Sequence, residues 1–305
     1  KGIILLVSCV YYRSSWKYKD RSFRYCFLDS GHQIGAIEAA AYTQDQPIQV
    51  LFEFDKVALN GDLGFENKQL SAACIISGDL KDRPVRRLRS PLPFVSGTDY
   101  FEVNPWLERA YRETLTPASP VQSLPNPHFP FDKLRFSEAI LQRRSARQFW
   151  KQPISQDLFW KIVGILEQPV PSPQTEKLDI YWVIHRVDGM EPGVYRGRQL
   201  LKPGNFSSRT GYLCINQAIA RDSAVTLLIT AAFQNYQTAL QLAGLLGHRL
   251  YLASQYWGLG CTGIGAYYDQ ETQNFLETDE AVLYALAIGP QPVTTSHSVV
   301  VSDHE

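Results

Sequence analysis

Tyr236 to Ala266 reads YQTALQLAGLLGHRLYLASQYWGLGCTGIGA, and the reading of this stretch decides the fold. Between Tyr236 and Trp257 the one strongly charged residue is Arg249, and Leu, Ala, Tyr and Trp fall on every side rather than along one stripe. That is the pattern of a helix buried all round. A helix of about 22 residues spans roughly 33 Å, the width of a domain, so the rest of the chain must be built to cover it. Gly258, Gly260, Gly263 and Gly265 then crowd together. The sequence predicts a glycine-rich turn there, followed by a strand over Ile264–Tyr268. A backbone without Cβ atoms can take positive φ or approach a ligand closely.

Gly258, Gly260 and Gly263 spell a G-x-G-x-x-G, the pattern of a dinucleotide-binding turn. That motif needs a strand before the glycines, a helix after them and an acid about 20 residues on. Here the helix comes first and the strand second, so the Rossmann reading is rejected.

Composition limits what surrounds the helix. The 305 residues suffice for two domains or one large one, and 45% apolar with 20% charged residues is a globular composition. Thirty basic and thirty acidic residues leave a formal net charge of zero, which points to neither nucleic acid nor a membrane surface. Cys9, Cys26, Cys74, Cys214 and Cys261 are scattered, with no C-x-x-C pair and no metal-ligand spacing. A reducing, cytoplasmic compartment and no metal site are the expectation. The apolar run after Lys1-Gly2 is too short for a membrane span and lacks a signal cleavage site, so it reads as a buried strand. A chain opening on Lys inside a strand is expected to be part of a longer protein.

In chain order, Leu5–Tyr12 reads as a strand and Trp16–Arg21 as a polar connection. Phe23–Tyr42 is a second apolar helix with Asp29 and Ser30 near its start, and Leu70–Gly78 is a short buried strand. This first part repeats the long helix in weaker form. Gly31-His32 aligns with Gly247-His248, and Ile76-Ser77-Gly78 with Ala287-Ile288-Gly289. Two such units would pack as a pseudo-dimer. The basic run Lys81–Arg89 reads as a solvated loop, and the proline-rich stretch from Pro91 to Pro130 as a linker. The expected division is 1–90, a linker at 91–130, and 131–305.

The second module opens with Arg143-Arg144-Ser145-Ala146-Arg147. On an extended backbone Arg143, Ser145 and Arg147 aim at one side, and two guanidinium forks with a hydroxyl between them suit a phosphate or an electron-rich ring edge. Ser155 is placed to cap a helix burying Leu158, Phe159, Ile162, Ile165 and Leu166. Strands follow at Leu178–His185, Ala224–Ala232 and Leu283–Gly289.

Four pieces in this order carry a family likeness: WKYKDRSFRYCFLDSGH at 16–32, RRSARQF at 143–149, VIHRVDGMEPGVY at 183–195 and GLLGHRLYLASQYWGLGCTGIGAYYD at 244–269. With them the chain resembles the nitroreductase-like FMN flavoprotein superfamily, and within it the tandem members related to SagB-type azoline dehydrogenases. The resemblance implies an α+β fold of two related modules, the first incomplete here, with FMN in the groove between them. It implies that Arg143, Arg144, Ser145 and Arg147 hold the flavin's phosphate and ring edge, and that the N–H groups of Thr262, Gly263, Ile264 and Gly265 face the ring. Ser172, in a Pro-Ser segment, is a further implied contact, although Pro173 and Glu176 replace the family's small residues. The basic pair that relatives carry near the C-terminus has no counterpart after Gly289. Lys17 and Tyr18 resemble the Lys-Tyr pair that moves a proton in azoline dehydrogenases. His32 and His248 read as satisfied helix histidines.

The implied function is an FMN-dependent oxidoreductase exchanging hydride with a small molecule or peptide heterocycle, with NAD(P)H as a candidate partner and a homodimer as a candidate assembly. The alternative is a catalytically silent module that binds a peptide or protein.

Overall fold

This computed structural model describes residues 2–65, 69–78, 89–93, 95, 100–115, 124–173 and 176–292. Most of the basic run (81–88), part of the proline-rich stretch, residues 174–175 and the tail from 293 lie outside them.

The first part runs β1 (Ile3–Cys9), α1 (Tyr12–Tyr18), a short turn of 3-10 helix (Lys19–Arg21), α2 (Ser22–Thr43), β2 (Ile48–Leu51), α3 (Lys56–Asp62) and β3 (Leu70–Ser77). The stretch expected to be a polar connection is thus helical, and Asp29 and Ser30 lie well inside α2 rather than at its start. Next come α4 (Pro105–Glu113), α5 (Lys133–Gln142), β4 (Ile154–Ser155), α6 (Gln156–Leu166), β5 (Asp179–Ile184) and β6 (Val187–Asp188). The chain then forms β7 (Gly193–Arg196), β8 (Gln199–Pro203), α7 (Ser207–Leu213), α8 (Ala218–Asp222) and β9 (Val225–Ala231). It finishes with α9 (Tyr236–Tyr256), β10 (Gly260–Ile264), α10 (Asp269–Leu276) and β11 (Ala281–Gly289).

The proline-rich stretch is therefore more than a linker. Asn104 caps α4 by accepting from the Trp106 and Leu107 N–H groups, with Pro105 at the first helical position. Ser155 caps α6 as its sequence predicted, accepting from the Leu158 N–H at 3.3 Å.

Two larger sheets flank the helices, and β4 pairs parallel with β6 in a third, two-stranded one. Three strands pair antiparallel in the order β1-β3-β2, and six in the order β10-β11-β9-β5-β7-β8. The sequence β1-α2-β2-α3-β3 recurs as β9-α9-β10-α10-β11, and the strand order β1-β3-β2 recurs as β9-β11-β10, antiparallel in both.

Helices α2 and α9 run through the middle and pack on each other. Their contact is backbone against backbone: a Cβ on Gly31 would lie 2.1 Å from the Gln241 carbonyl oxygen, and one on Gly244 2.2 Å from that of Leu28. Further along, a Cβ on Gly35 would meet His248, and one on Gly247 would meet Tyr284 and His32. One apolar cluster runs across this crossing from Phe27, Leu28 and Ile34 to Leu240, Leu245 and Leu250. Arg249, 3% exposed, makes a bidentate pair with Glu38 at 2.8 and 2.7 Å and donates to the carbonyls of Gln168 and Pro169. Four charge-assisted bonds satisfy a guanidinium in the interior.

The glycine-rich stretch is an edge strand rather than a turn. Only its first glycine reverses the chain: Gly258 has φ +79, its N–H donates to Gln255 O and the Leu259 N–H to Ser254 O. That is a Schellman closure of α9. Gly260 and Gly263 lie in β10, paired with β11.

Candidate functional site

The predicted arginine segment meets the glycine strand. α5 ends at Gln142 and Arg143 turns to an extended backbone, which leads Ser145 into a parallel bridge with Cys261. The Ala146 N–H donates to Cys261 O at 2.9 Å, using the free edge of β10. Two positions on, the Gly263 N–H of that same edge donates to the Tyr251 hydroxyl at 2.7 Å, and that hydroxyl also bonds the Ser145 hydroxyl at 3.1 Å. The Arg143 guanidinium lies over the Tyr251 ring, 5.2 Å from its centroid. Arg147 is exposed, as alternation along an extended segment requires, while Ala146 is buried. Arg144 turns back onto the carbonyls of Leu141 and Arg143, so its charge closes the end of α5. Among the described residues no carboxylate pairs with Arg143 or Arg147.

Next on the free edge is the Gly265 N–H, which has no hydrogen-bond partner among the described residues. The Gly265 carbonyl accepts from the Tyr25 hydroxyl at 3.2 Å and from Arg21 at 3.4 Å. Tyr18 packs its ring on Tyr25 with centroids 4.6 Å apart, and the Lys17 ammonium lies 5.1 Å from the Tyr18 centroid. Lys17 and Tyr18 therefore reach the neighbourhood of Gly265 through one intervening ring. Arg21 and Arg24 both pair with Asp269 at 2.7 and 2.6 Å. Burial opposes ionisation there, but the two guanidinium groups hold Asp269 below the usual carboxylate range.

The space left by the missing Cβ atoms is filled from within the protein. At Gly263 a Cβ would lie 2.0 Å from the Tyr284 hydroxyl, and at Gly265 2.4 Å from the Tyr25 ring. These glycines are needed for packing whether or not a ligand is present. Tyr284 in turn meets His32 Nε2 at 2.9 Å, and His32 Nδ1 lies 3.4 Å from His248 Nδ1. Burial, with His248 and Arg143 nearby, lowers His32 to about 3, and burial with Arg143 lowers His248 to about 4. Both imidazoles are neutral at physiological pH, as satisfied helix histidines should be.

Ser172 stands apart from this cluster. Its neighbour Pro171 accepts from the Val50 N–H of β2 at 2.7 Å, and the Ser172 hydroxyl is buried without a partner among the described residues. Thr262 and Ile264 are buried on β10, with Gly263 and Gly265 half-buried between and after them. A cleft of about 390 Å³ lies elsewhere, between α3 and α4, lined by Asn60, Leu70, Glu108, Tyr111 and Arg112, and none of the expected site residues borders it. Among the described residues no three His, Cys, Asp or Glu side chains gather as metal ligands, and no helix is long and apolar enough to cross a membrane.

Sequence reasoning missed Tyr25, Tyr251 and Tyr284, which complete the cluster. An aromatic on a buried helix or strand reads as core, and the hydroxyls gain their partners only when α2, α9 and β11 are brought together.

Residues 140–290 match the model of the Nitroreductase family. A provisionally named nitroreductase of Methanocaldococcus jannaschii is 23% identical over 185 residues, 52% of this chain and 92% of that one. The crystal structure of a provisionally named nitroreductase from Anabaena variabilis superposes with a TM-score of 0.77 at 24% identity, covering 95% of this chain and 69% of that one. An NADPH:FMN oxidoreductase from Vibrio harveyi, solved with NAD+, overlaps only in part, with a TM-score of 0.38 at 18% identity over 56% of this chain and 78% of that one.

Proposed function

With a nitroreductase-family domain at residues 140–290 and a nitroreductase fold over nearly the whole chain, we propose that this protein is an FMN-dependent oxidoreductase. The observation that carries the reading is a pair of guanidinium groups that no carboxylate claims among the described residues. Surface arginines commonly spend their charge on nearby carboxylates, yet among the described residues Arg143 and Arg147 flank the Ser145 hydroxyl with no carboxylate on either. Two forked cations and a hydroxyl on one side of an extended segment suit a phosphate.

The fit extends to the ring. The Gly265 N–H is a donor on a strand edge without a partner among the described residues, and the adjoining wall is the Tyr25 ring. Arg143, Ser145 and Arg147 would hold the phosphate end of FMN, and the backbone from Thr262 to Gly265 its ring edge. Arg144 would contribute long-range charge, since its N–H groups serve carbonyls. Bound there, FMN supplies a two-electron exchange of hydride, with NAD(P)H as the proposed partner. Lys17 and Tyr18, beside the Tyr25 ring, would touch a substrate, a small molecule or a peptide heterocycle as in SagB-type enzymes.

The recurring β-α-β-α-β order supports two related modules joined as a pseudo-dimer about α2 and α9, divided near 1–90 and 131–305. Ser172, tied to β2, would serve the first module's side of that arrangement. Five free cysteines accord with a reducing cytoplasm.

One observation favours the silent, partner-binding alternative. The Gly263 N–H is already taken by Tyr251, which leaves fewer edge donors for a ring. The test is direct. The chain as it stands is titrated with FMN and the two flavin absorption bands are followed on the protein after gel filtration. Replacing Arg143 and Arg147 together with Ala removes two charge-assisted contacts of about 1.5–3 kcal/mol each and should weaken retention by about 100-fold or more. Equal flavin retention by wild type and double variant would remove the arginines from the site, and no retention by wild type would favour the silent module.

A further inference from the structure

Helices α3 and α4 face each other across the cleft of about 390 Å³. Asn60 and Gly61 line it from α3, Glu108, Tyr111 and Arg112 from α4, and Leu70 from the first position of β3. Spacings of three and four residues put Glu108, Tyr111 and Arg112 on one face of α4. The inner wall is fixed from behind. The Tyr111 hydroxyl donates to Ser71 O at 3.2 Å and accepts from the Asn60 amide at 3.3 Å, while Asn60 Oδ1 accepts from the Ser71 N–H at 3.1 Å and the Ser71 hydroxyl at 2.6 Å. Those polar atoms are spent inside the protein, so what that wall offers a ligand is carbon, from Leu70, Leu115 and the Tyr111 ring. Gly61 leaves the α3 wall low, since a Cβ there meets nothing within 4 Å.

Two charges on α4 are left over. Glu108 is half-buried and its Oε1 accepts from the Tyr11 hydroxyl at 2.9 Å, which fixes the carboxylate and leaves Oε2 without a partner among the described residues. Arg112 is exposed, and its guanidinium makes no ion pair or hydrogen bond among them. The two stand four residues apart with the acid first, the favoured order for a helical ion pair. They do not pair with each other, although Arg109 and Glu113 on the same helix do at 3.7 Å. An unpaired carboxylate and guanidinium one helical turn apart, beside an apolar wall, are complementary to a molecule that carries both charges itself.

We propose that this cleft binds a free α-amino acid with a large apolar side chain. The amino acid's carboxylate meets the Arg112 fork, its ammonium donates to Glu108, and its side chain lies over Leu70, Leu115 and the Tyr111 ring. The volume stands near the lower end of the range for small-molecule sites, about 300–1,000 Å³, which suits one such residue rather than a dinucleotide or a longer peptide. A ligand with a single charge would cover the other helix charge without pairing it, so the site selects the zwitterion over an apolar acid or an apolar amine. None of this rests on the flavin reading, whose residues lie on β10 and on the segment after α5.

Calorimetric titration of the chain with L-phenylalanine tests it, compared with hydrocinnamate, which lacks the ammonium, and phenethylamine, which lacks the carboxylate. L-phenylalanine should bind at millimolar concentration or below, and each comparison molecule about 10-fold or more weaker. Arg112→Gln and Glu108→Gln should each weaken L-phenylalanine binding by about 10-fold or more, with Glu108→Gln keeping an oxygen for the Tyr11 hydroxyl. Gly61→Phe puts a ring into the cleft and should abolish binding while the urea midpoint and FMN uptake stay as in the wild type. Should that variant fail to fold, the two charge variants decide. A wild-type chain that gives no heat with L-phenylalanine at millimolar concentration overturns the proposal. So does hydrocinnamate binding as tightly as the amino acid, or undiminished binding in Arg112→Gln, in Glu108→Gln or in a folded Gly61→Phe.

Discussion

Gly31→Ala should loosen the centre of the molecule although alanine is the better helix former. The added Cβ would sit 2.1 Å from the Gln241 carbonyl oxygen and 2.8 Å from the Gly244 Cα. Ordinary contact begins at 3.4 Å, so α2 and α9 would have to part by about 1.3 Å along that line. Neither atom belongs to a flexible side chain, so the strain cannot be relieved by a rotamer change. Alanine returns about 1 kcal/mol of helix propensity, while forced overpacking of a core costs about 1–3 kcal/mol and more where backbone resists. The same separation pulls Leu28 and Ile34 away from Leu240 and Leu245. We expect a net loss of about 2–3 kcal/mol, which in a chain of this size lowers Tm by roughly 4–10 °C. Urea unfolding reads it out. Gly164→Ala in α6, where a Cβ meets nothing within 4 Å, is the control and should gain up to about 1 kcal/mol. Adding Gly244→Ala to Gly31→Ala should cost less than the two alone, because helices already forced apart admit the second methyl. If Gly31→Ala unfolds at or above the wild-type urea midpoint, the close helix crossing is wrong.

The buried pair offers a second measurement: Arg249→Met strands the Glu38 carboxylate and should cost about 3–5 kcal/mol, with Arg249→Met/Glu38→Leu recovering more than half of that in denaturant melts. Lys56 is 2% exposed with its ammonium unpartnered among the described residues, and burial lowers its pKa to about 8. Between pH 8 and the ordinary lysine value the unfolded chain binds the extra proton, so the fold's stability should rise with pH across that window. Lys56→Met should therefore stabilise by roughly 2–3 kcal/mol at pH 7, an advantage that shrinks above pH 8, and a gain that is flat with pH would show Lys56 to be solvated. Lys17→Ala should abolish any azoline oxidation and leave nicotinamide-driven flavin reduction largely intact. Azoline oxidation by Lys17→Ala equal to that of the wild type would remove the Lys-Tyr pair from the chemistry.

Helix α9 was legible because no face of it could meet water, and that single fact predicted both its length and its central place. Gly31-His32 and Gly247-His248, aligned with each other in the sequence, meet at one helix crossing. The glycines were read as a turn because glycine density marks turns locally. What fixes them as a strand is the Tyr284 hydroxyl over Gly263 and the Tyr25 ring over Gly265, contacts made across 21 and 240 residues of sequence. α1 was missed because its seven residues are mostly polar, and it is held by Tyr11 and Tyr12 packing on Phe101 rather than by its own pattern. Arg143 and Ser145 were read as sharing a side through strand alternation, and both meet Tyr251. That Arg144 would be spent on its own helix end was not legible, because that depends on where α5 stops.

The mutual dependence of α2 and α9 also sets the order in which a growing chain can fold. About 190 residues separate the end of α2 at Thr43 from the start of α9 at Tyr236. At about 5–20 residues per second, a ribosome that has released α2 needs roughly 10–40 s to make the surface on which α2 packs. For that interval Phe27, Leu28 and Ile34 lack the cover that α9 gives them, and the three-stranded sheet must form beside a helix bare on that face. Gly31 and Gly35 give this waiting helix a weak propensity, so it holds back from setting before its partner exists. The nascent protein therefore passes through an interval of bared apolar surface that its finished, closely packed core conceals.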